Sequence, residues 1–208
     1  MLNDFFGSAS GKAVSALLAL IFIIAVAGVF RRKFSAKTLT YAAACIALAM
    51  VLSYIKVNFP QGGSITLCSM LFISLIGFFF GPAVGIIGGA AYGFLQLAID
   101  PYVVHPAQLF LDYPIAFAML GASGFFTKSN RLKTGFVIGA LLRGAVSTIS
   151  GMIFFAEYAA VGQSVFVYSV TYNFGYILPE TILTIVILSI PAVISAIIKV
   201  KNDLPAQA

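Results

Sequence analysis

Apolar residues fall along this chain in long unbroken runs, not in the alternation of a half-buried strand or the one-sided stripe of a soluble helix. Seven runs stand out: 13–30, 38–56, 65–80, 82–99, 107–126, 134–156 and 166–198. Most are near the ~20 residues a helix needs to cross a hydrocarbon core. The stretches between them have loop chemistry: FPQGGS (59–64), DPY (100–102), TKSNRLK (127–133) and EYAAVGQS (157–164). The junction FGP at 80–82 predicts a very tight turn. The last run is too long for one perpendicular helix, and Pro179 and Pro191 are where it is expected to kink.

Composition then decides the solvent. The chain is 61% hydrophobic and 9% charged, against roughly 25% charged residues in soluble domains, and its mean hydropathy is +1.07. The expected fold is therefore an all-α membrane protein, because helices satisfy their own backbone hydrogen bonds inside hydrocarbon. The short alternating segments of a β-barrel are absent. Arg31, Arg32, Lys33 and Lys37, then Lys128, Arg131 and Lys133, then Lys199 and Lys201 all thread onto one face, which the positive-inside rule makes cytoplasmic. The opposite loops hold Gly62, Gly63, Asp100, His105 and Glu157, with Lys56 near a membrane end. A signal peptide would place its charge before a 7–15-residue apolar core. Here the first run is longer and RRK follows it, so a retained helix with an outside N-terminus is expected. The expected domains are a hydrophobic helix with its basic linker (1–37), a membrane domain (38–201) and a cytoplasmic tail (202–208).

Several chemistries are excluded. One histidine, His105, and two separated cysteines, Cys45 and Cys68, cannot supply a metal set. GSASGK has three residues between Gly7 and Gly11 where a phosphate loop needs four, and Ala13 where it needs Ser or Thr. No nucleophile–base pair is legible, and neither a cofactor nor a nucleic-acid partner is expected. Glycines 77, 81, 85, 89 and 93 recur every fourth residue, a bare ridge that invites close helix approach. Packing within the bundle is its first reading and docking of a partner protein its second.

Asp112, Arg143 and Glu180 lie inside predicted spans, where each costs on the order of 2.5–3.5 kcal/mol at a helix centre. One reading is a structural ion pair of Arg143 with either carboxylate. The other is a polar pocket open to the outside, and the company of these residues favours it. Tyr102, Gln108 and Tyr113 cluster around Asp112, and Tyr168, Tyr172, Asn173 and Tyr176 open the last run. Aromatic walls with a few directed polar groups make a small-molecule site, and a carboxylate among tyrosines suits a flat organic cation. A rival reading makes Asp112 and Glu180 the carboxylate pair of an intramembrane enzyme.

YVVHPAQLFLDYPIAFAMLGASGFF (102–126), FFAEYAAVGQSVFVYSVTYNFGYILPE (154–180) and the QGGS loop (61–64) together resemble the thiamine-specific S component of energy-coupling factor (ECF) transporters. The resemblance covers roughly 38–199. It implies a six-transmembrane-helix S-component bundle, with the first run as an additional N-terminal transmembrane helix. Such a subunit captures thiamine at the outer face of the cell membrane. It works with a transmembrane T component and two cytoplasmic ATPases, and is not an enzyme. Asp112 matches the family's acidic ligand-contacting position, flanked by Tyr102 and Tyr113. Tyr168 and Asn173 match contacts in the last helix, Arg143 a basic position and Phe155 a stacking aromatic. Ala43 and Ala47 match the alanine motif for docking on the T component. Ser147 stands where the family carries a histidine, one turn after Arg143.

Overall fold

The computed structural model describes residues 34–204. The run 13–30, the Arg31–Lys33 cluster and residues 205–208 lie outside the described residues. Four helices among the described residues are long and apolar enough to cross a membrane: Ala36–Ser53, Ser69–Ile99, Ser129–Phe154 and Val165–Ile187.

Helix α1, Ala36–Ser53, starts at Ser35, whose hydroxyl accepts from Thr38 N at 3.1 Å. It buries a stripe of small residues, Thr38, Ala42, Cys45, Ala49 and Ser53, and leaves Leu39, Leu48 and Val51 exposed. Small residues inward and large apolar residues outward is the pattern of a helix that packs closely in lipid. A short antiparallel hairpin follows, β1 (Lys56–Asn58) paired with β2 (Ser64–Thr66), its tip turning at Pro60–Gly62. The apolar pattern instead joined Lys56 to the second run and Ile65 and Thr66 to the third. Val57, Ile65 and Thr66 are β-branched and flank a Pro-Gln-Gly-Gly turn, so extended backbone wins locally.

Helix α2, Ser69–Ile99, folds back on itself at Gly81, whose φ of 80° and ψ of 172° belong to glycine. A Cβ placed on Gly85 would stand 2.6 Å from Gly77 Cα, so arms 69–80 and 82–99 lie against each other. This is the tight FGP turn. The glycine ridge is consumed inside the molecule: a Cβ on Gly85 would meet Gly121 Cα at 2.9 Å, and one on Gly93 would meet Tyr113 and Pro114 backbone.

Residues 106–125 depart from the regular span predicted for 107–126. Helix α3, Pro106–Phe110, widens into a π-turn at Leu111–Ile115, passes one α-turn at Ala116–Ala118 and tightens to 3-10 over Met119–Phe125. Pro114 sits within the π-turn and has no N–H to give to a regular ladder. Helix α4 is Leu132–Phe154 and α5 is Val165–Ile187. The single run 166–198 is two helices: α5 passes through Pro179 unbroken, and Pro191 opens α6, Pro191–Asp203. Lys201 of α6 donates to Thr127 O and rests over the Phe78 ring, 3.7 Å from its centroid.

Candidate functional site

A cavity opens between the hairpin, α3 with its π-turn, α4 and α5. Asp112 reaches it because the π-turn interrupts the helical register there. Gln108, one turn earlier and 1% exposed, donates from Nε2 to Asp112 Oδ2 at 2.7 Å and to Tyr102 O at 3.1 Å. Its Oε1 accepts from Val104 N at 3.1 Å. Tyr113 Oη accepts from Tyr102 N at 2.6 Å and donates to Asp100 O at 3.1 Å. The loop 100–104 is thus stitched to the π-turn, which orients Tyr102 and Asp112 together.

Two stacked aromatic pairs contribute to the lining. Tyr102 lies over Phe155 with centroids 6.1 Å apart and planes at 23°, and Tyr168 over Tyr172 at 6.0 Å and 25°. Asn173 ties α5 to α4: Nδ2 donates to Ser147 O at 3.2 Å and Ser169 O at 2.9 Å, while Oδ1 accepts from Tyr176 Oη at 2.8 Å. Ser147 is buried beside it and lines the cavity. Arg143 sits over the Phe117 ring, 4.2 Å from the centroid, and its buried Nε has no hydrogen-bond partner.

Among the described residues the ion pair is Lys56–Asp100, at the mouth of the cavity. Arg143 therefore pairs with neither Asp112 nor Glu180, and the structural ion pair, the less favoured of the two sequence readings, is absent among the described residues. Glu180, 1% exposed, instead takes Thr66 N at 3.0 Å, Thr66 Oγ1 at 2.7 Å and Met70 N at 3.0 Å. Two cations and three carboxylates line the cavity, leaving one formal negative charge. The nine residues singled out for ligand contact, Tyr102, Gln108, Asp112, Tyr113, Arg143, Ser147, Phe155, Tyr168 and Asn173, share this one cavity. Ala43 and Ala47 lie apart from it, exposed on the outer face of α1. His105 caps α3, accepting from Ala107 N at 3.1 Å, and stacks on Phe154.

Sequence reasoning passed over Lys56 and Asp100 as a pair, Gly63 and Ser64 as lining, and Thr66 as Glu180's partner. The QGGS loop was the available signal for the second of these. Tyr172 accepts from Gly63 N at 3.0 Å and donates to Pro60 O.

Residues 39–199 match the model of a family described as thiamine transporter protein. The chain belongs to the thiamine transporter family. Its relatives include Thiamine transporter ThiT of Bacillus subtilis, 37% identical over 66% of this chain and 79% of that protein. Thiamine transporter ThiT of Lacticaseibacillus paracasei is 32% identical over 55% and 66% of the two chains. A solved structure of ThiT from Listeria monocytogenes superposes with a TM-score of 0.63 at 24% identity, covering 76% of this chain and 96% of that one, and shares its fold. This thiamine transporter family member is thus a predominantly helical membrane protein with a transport role, not an enzyme.

Proposed function

We propose that the chain is the thiamine-binding S component of an ECF transporter. It captures thiamine at the outer face of the cell membrane for uptake driven by a T component and two cytoplasmic ATPases. The observation that carries the reading is Asp112: a carboxylate inside a predicted span, holding one hydrogen bond from Gln108, in a cavity with aromatic walls and one net negative charge. Thiamine is a flat monocation with an aminopyrimidine that donates hydrogen bonds. Asp112 neutralises the thiazolium or accepts from the amino group, and the Tyr102–Phe155 and Tyr168–Tyr172 pairs offer faces for the rings. Gln108 and Tyr113 hold Asp112 and the outer loop in place. Arg143, Ser147 and Asn173 complete the inner wall.

Residues 38–201 form the substrate-binding membrane domain in this reading, with the basic loops cytoplasmic. Ala43 and Ala47, exposed and one turn apart on α1, give the T component a flat surface for close approach. The name of the Bacillus subtilis relative, Thiamine transporter ThiT, supports the substrate.

Titration of the purified, ligand-stripped chain with thiamine, followed by tyrosine fluorescence or heat, tests the reading. Saturable nanomolar binding at one site per chain is expected. No binding by a folded chain would move the substrate to another vitamin or a thiamine precursor. Competition with hydroxymethylpyrimidine, riboflavin and biotin would then identify it.

A further inference from the structure

Glu180 lines the cavity and looks, by position, like a second acidic ligand contact. Its hydrogen bonding argues otherwise. A carboxylate offers about four lone-pair sites. Here Oε2 takes both the N–H and the hydroxyl of Thr66, and Oε1 takes Met70 N. Ser69 Oγ lies 3.4 Å from Oε1 and 2.6 Å from Thr66 Oγ1, so its one proton serves either acceptor. At 1% exposure, little of the group is left for a ligand.

Its partners have something in common: they bracket a strained residue. Cys68 is the one non-glycine residue with positive φ among the described residues, at φ 59° and ψ 27°. That left-handed conformation turns the chain from β2 into α2, and residues with a Cβ hold it only when their surroundings enforce it. Thr66 N on one side and Met70 N on the other are both fixed by the same carboxylate. The anion also sits at the first turn of α2, where the helix dipole favours it. Two turns earlier on α5, Tyr172 grips the hairpin tip through Gly63 N and Pro60 O. One helix therefore holds the hairpin at both ends, and between them Gly63 and Ser64 face the cavity.

We infer that Glu180 is a positioning residue for ligand binding: by clamping Thr66 and Met70 around the Cys68 turn, it sets the hairpin wall against the bound ligand without touching it. This rests on the thiamine reading above. A wall fixed before the ligand arrives slows its escape more than its entry.

The test measures thiamine association and dissociation rates for the parent chain, Glu180→Gln, Thr66→Val and the double variant. Glutamine keeps the size but turns an N–H₂ toward donors. Glu180→Gln is expected to raise the dissociation rate roughly tenfold with little change in association, and Thr66→Val by a few-fold. The double variant is expected to lose no more than Glu180→Gln alone, since both act through one contact. Additive losses would place Glu180 on the ligand and overturn the proposal, as would parent-like dissociation in Glu180→Gln. If Glu180→Gln does not fold, Thr66→Val decides: unchanged dissociation overturns the proposal and faster dissociation supports it. A parent chain that binds no thiamine overturns the substrate reading and this proposal with it, whereas a binding parent with unaffected variants overturns this proposal alone.

Discussion

Two carboxylates border the same cavity, and they differ in how much of their bonding capacity the protein has used. Glu180 accepts from two backbone N–H groups and one hydroxyl, all contributed by the hairpin and the start of α2. Asp112 accepts one bond, from Gln108, within its own helical segment. A buried anion saturated by neighbours is spent on architecture. One left with free lone pairs at a cavity wall has bonding capacity to offer a ligand. Position in a span marks both residues as unusual, but partners assign their roles.

The contrast is broken most directly by truncation. Glu180→Ala strands Thr66 N and Met70 N in the interior, so unfolding in detergent is expected to become easier by about 3 kcal/mol. Asp112→Ala strands little, because Gln108 keeps Tyr102 O, and its stability is expected to stay within about 1 kcal/mol of the parent. Equal destabilisation would erase the distinction. For ligand affinity, Asp112→Ala is expected to weaken thiamine binding at least tenfold, or about 1.4 kcal/mol, in the same titration. Unchanged affinity would return Asp112 to a structural role.

Smaller effects sharpen the comparison. Phe155→Leu removes the face stacked with Tyr102 and is expected to weaken a bound cation by about 0.5–1 kcal/mol, whereas a neutral competitor would lose less. The least is expected at the mouth. Lys56→Gln breaks an ion pair whose Asp100 side is 63% exposed, so stability should hardly move. Freeing Asp100 should instead quicken association of a cation at low salt, a gain that disappears as salt is raised.

Much of the fold was legible because hydrocarbon imposes a coarse rule: long apolar runs become helices, and glycine with proline at 81–82 ends one abruptly. What escaped was local. The hairpin strands are three residues each, and their ends blended into flanking apolar runs. The π-turn at 111–115 hid inside a run of normal length, although Pro114 marked it. Pro179 and Pro191 looked alike in sequence, yet only Pro191 starts a helix, since its missing N–H costs nothing at a first turn. In the site, Asp112 and its tyrosines stood out because polar groups are scarce in such runs. Glu180's partners could not be read, because Thr66 lies more than a hundred residues away and an ordinary threonine carries no signal.

The reversal at Gly81 also bears on how this protein enters its membrane. Residues 69–99 form one apolar stretch with no polar loop between its arms, so the reversal leaves almost no backbone to be solvated at the turn. Both ends of the segment lie together, where Lys56 pairs with Asp100, so the two arms cross as a pair and only the turn at Gly81 reaches the opposite face. Their glycine faces meet each other at Gly77 and Gly85, and together they receive the backbone of the segment 106–125. A side chain at 81, where φ is 80°, would strain the single hinge on which both membrane crossings depend.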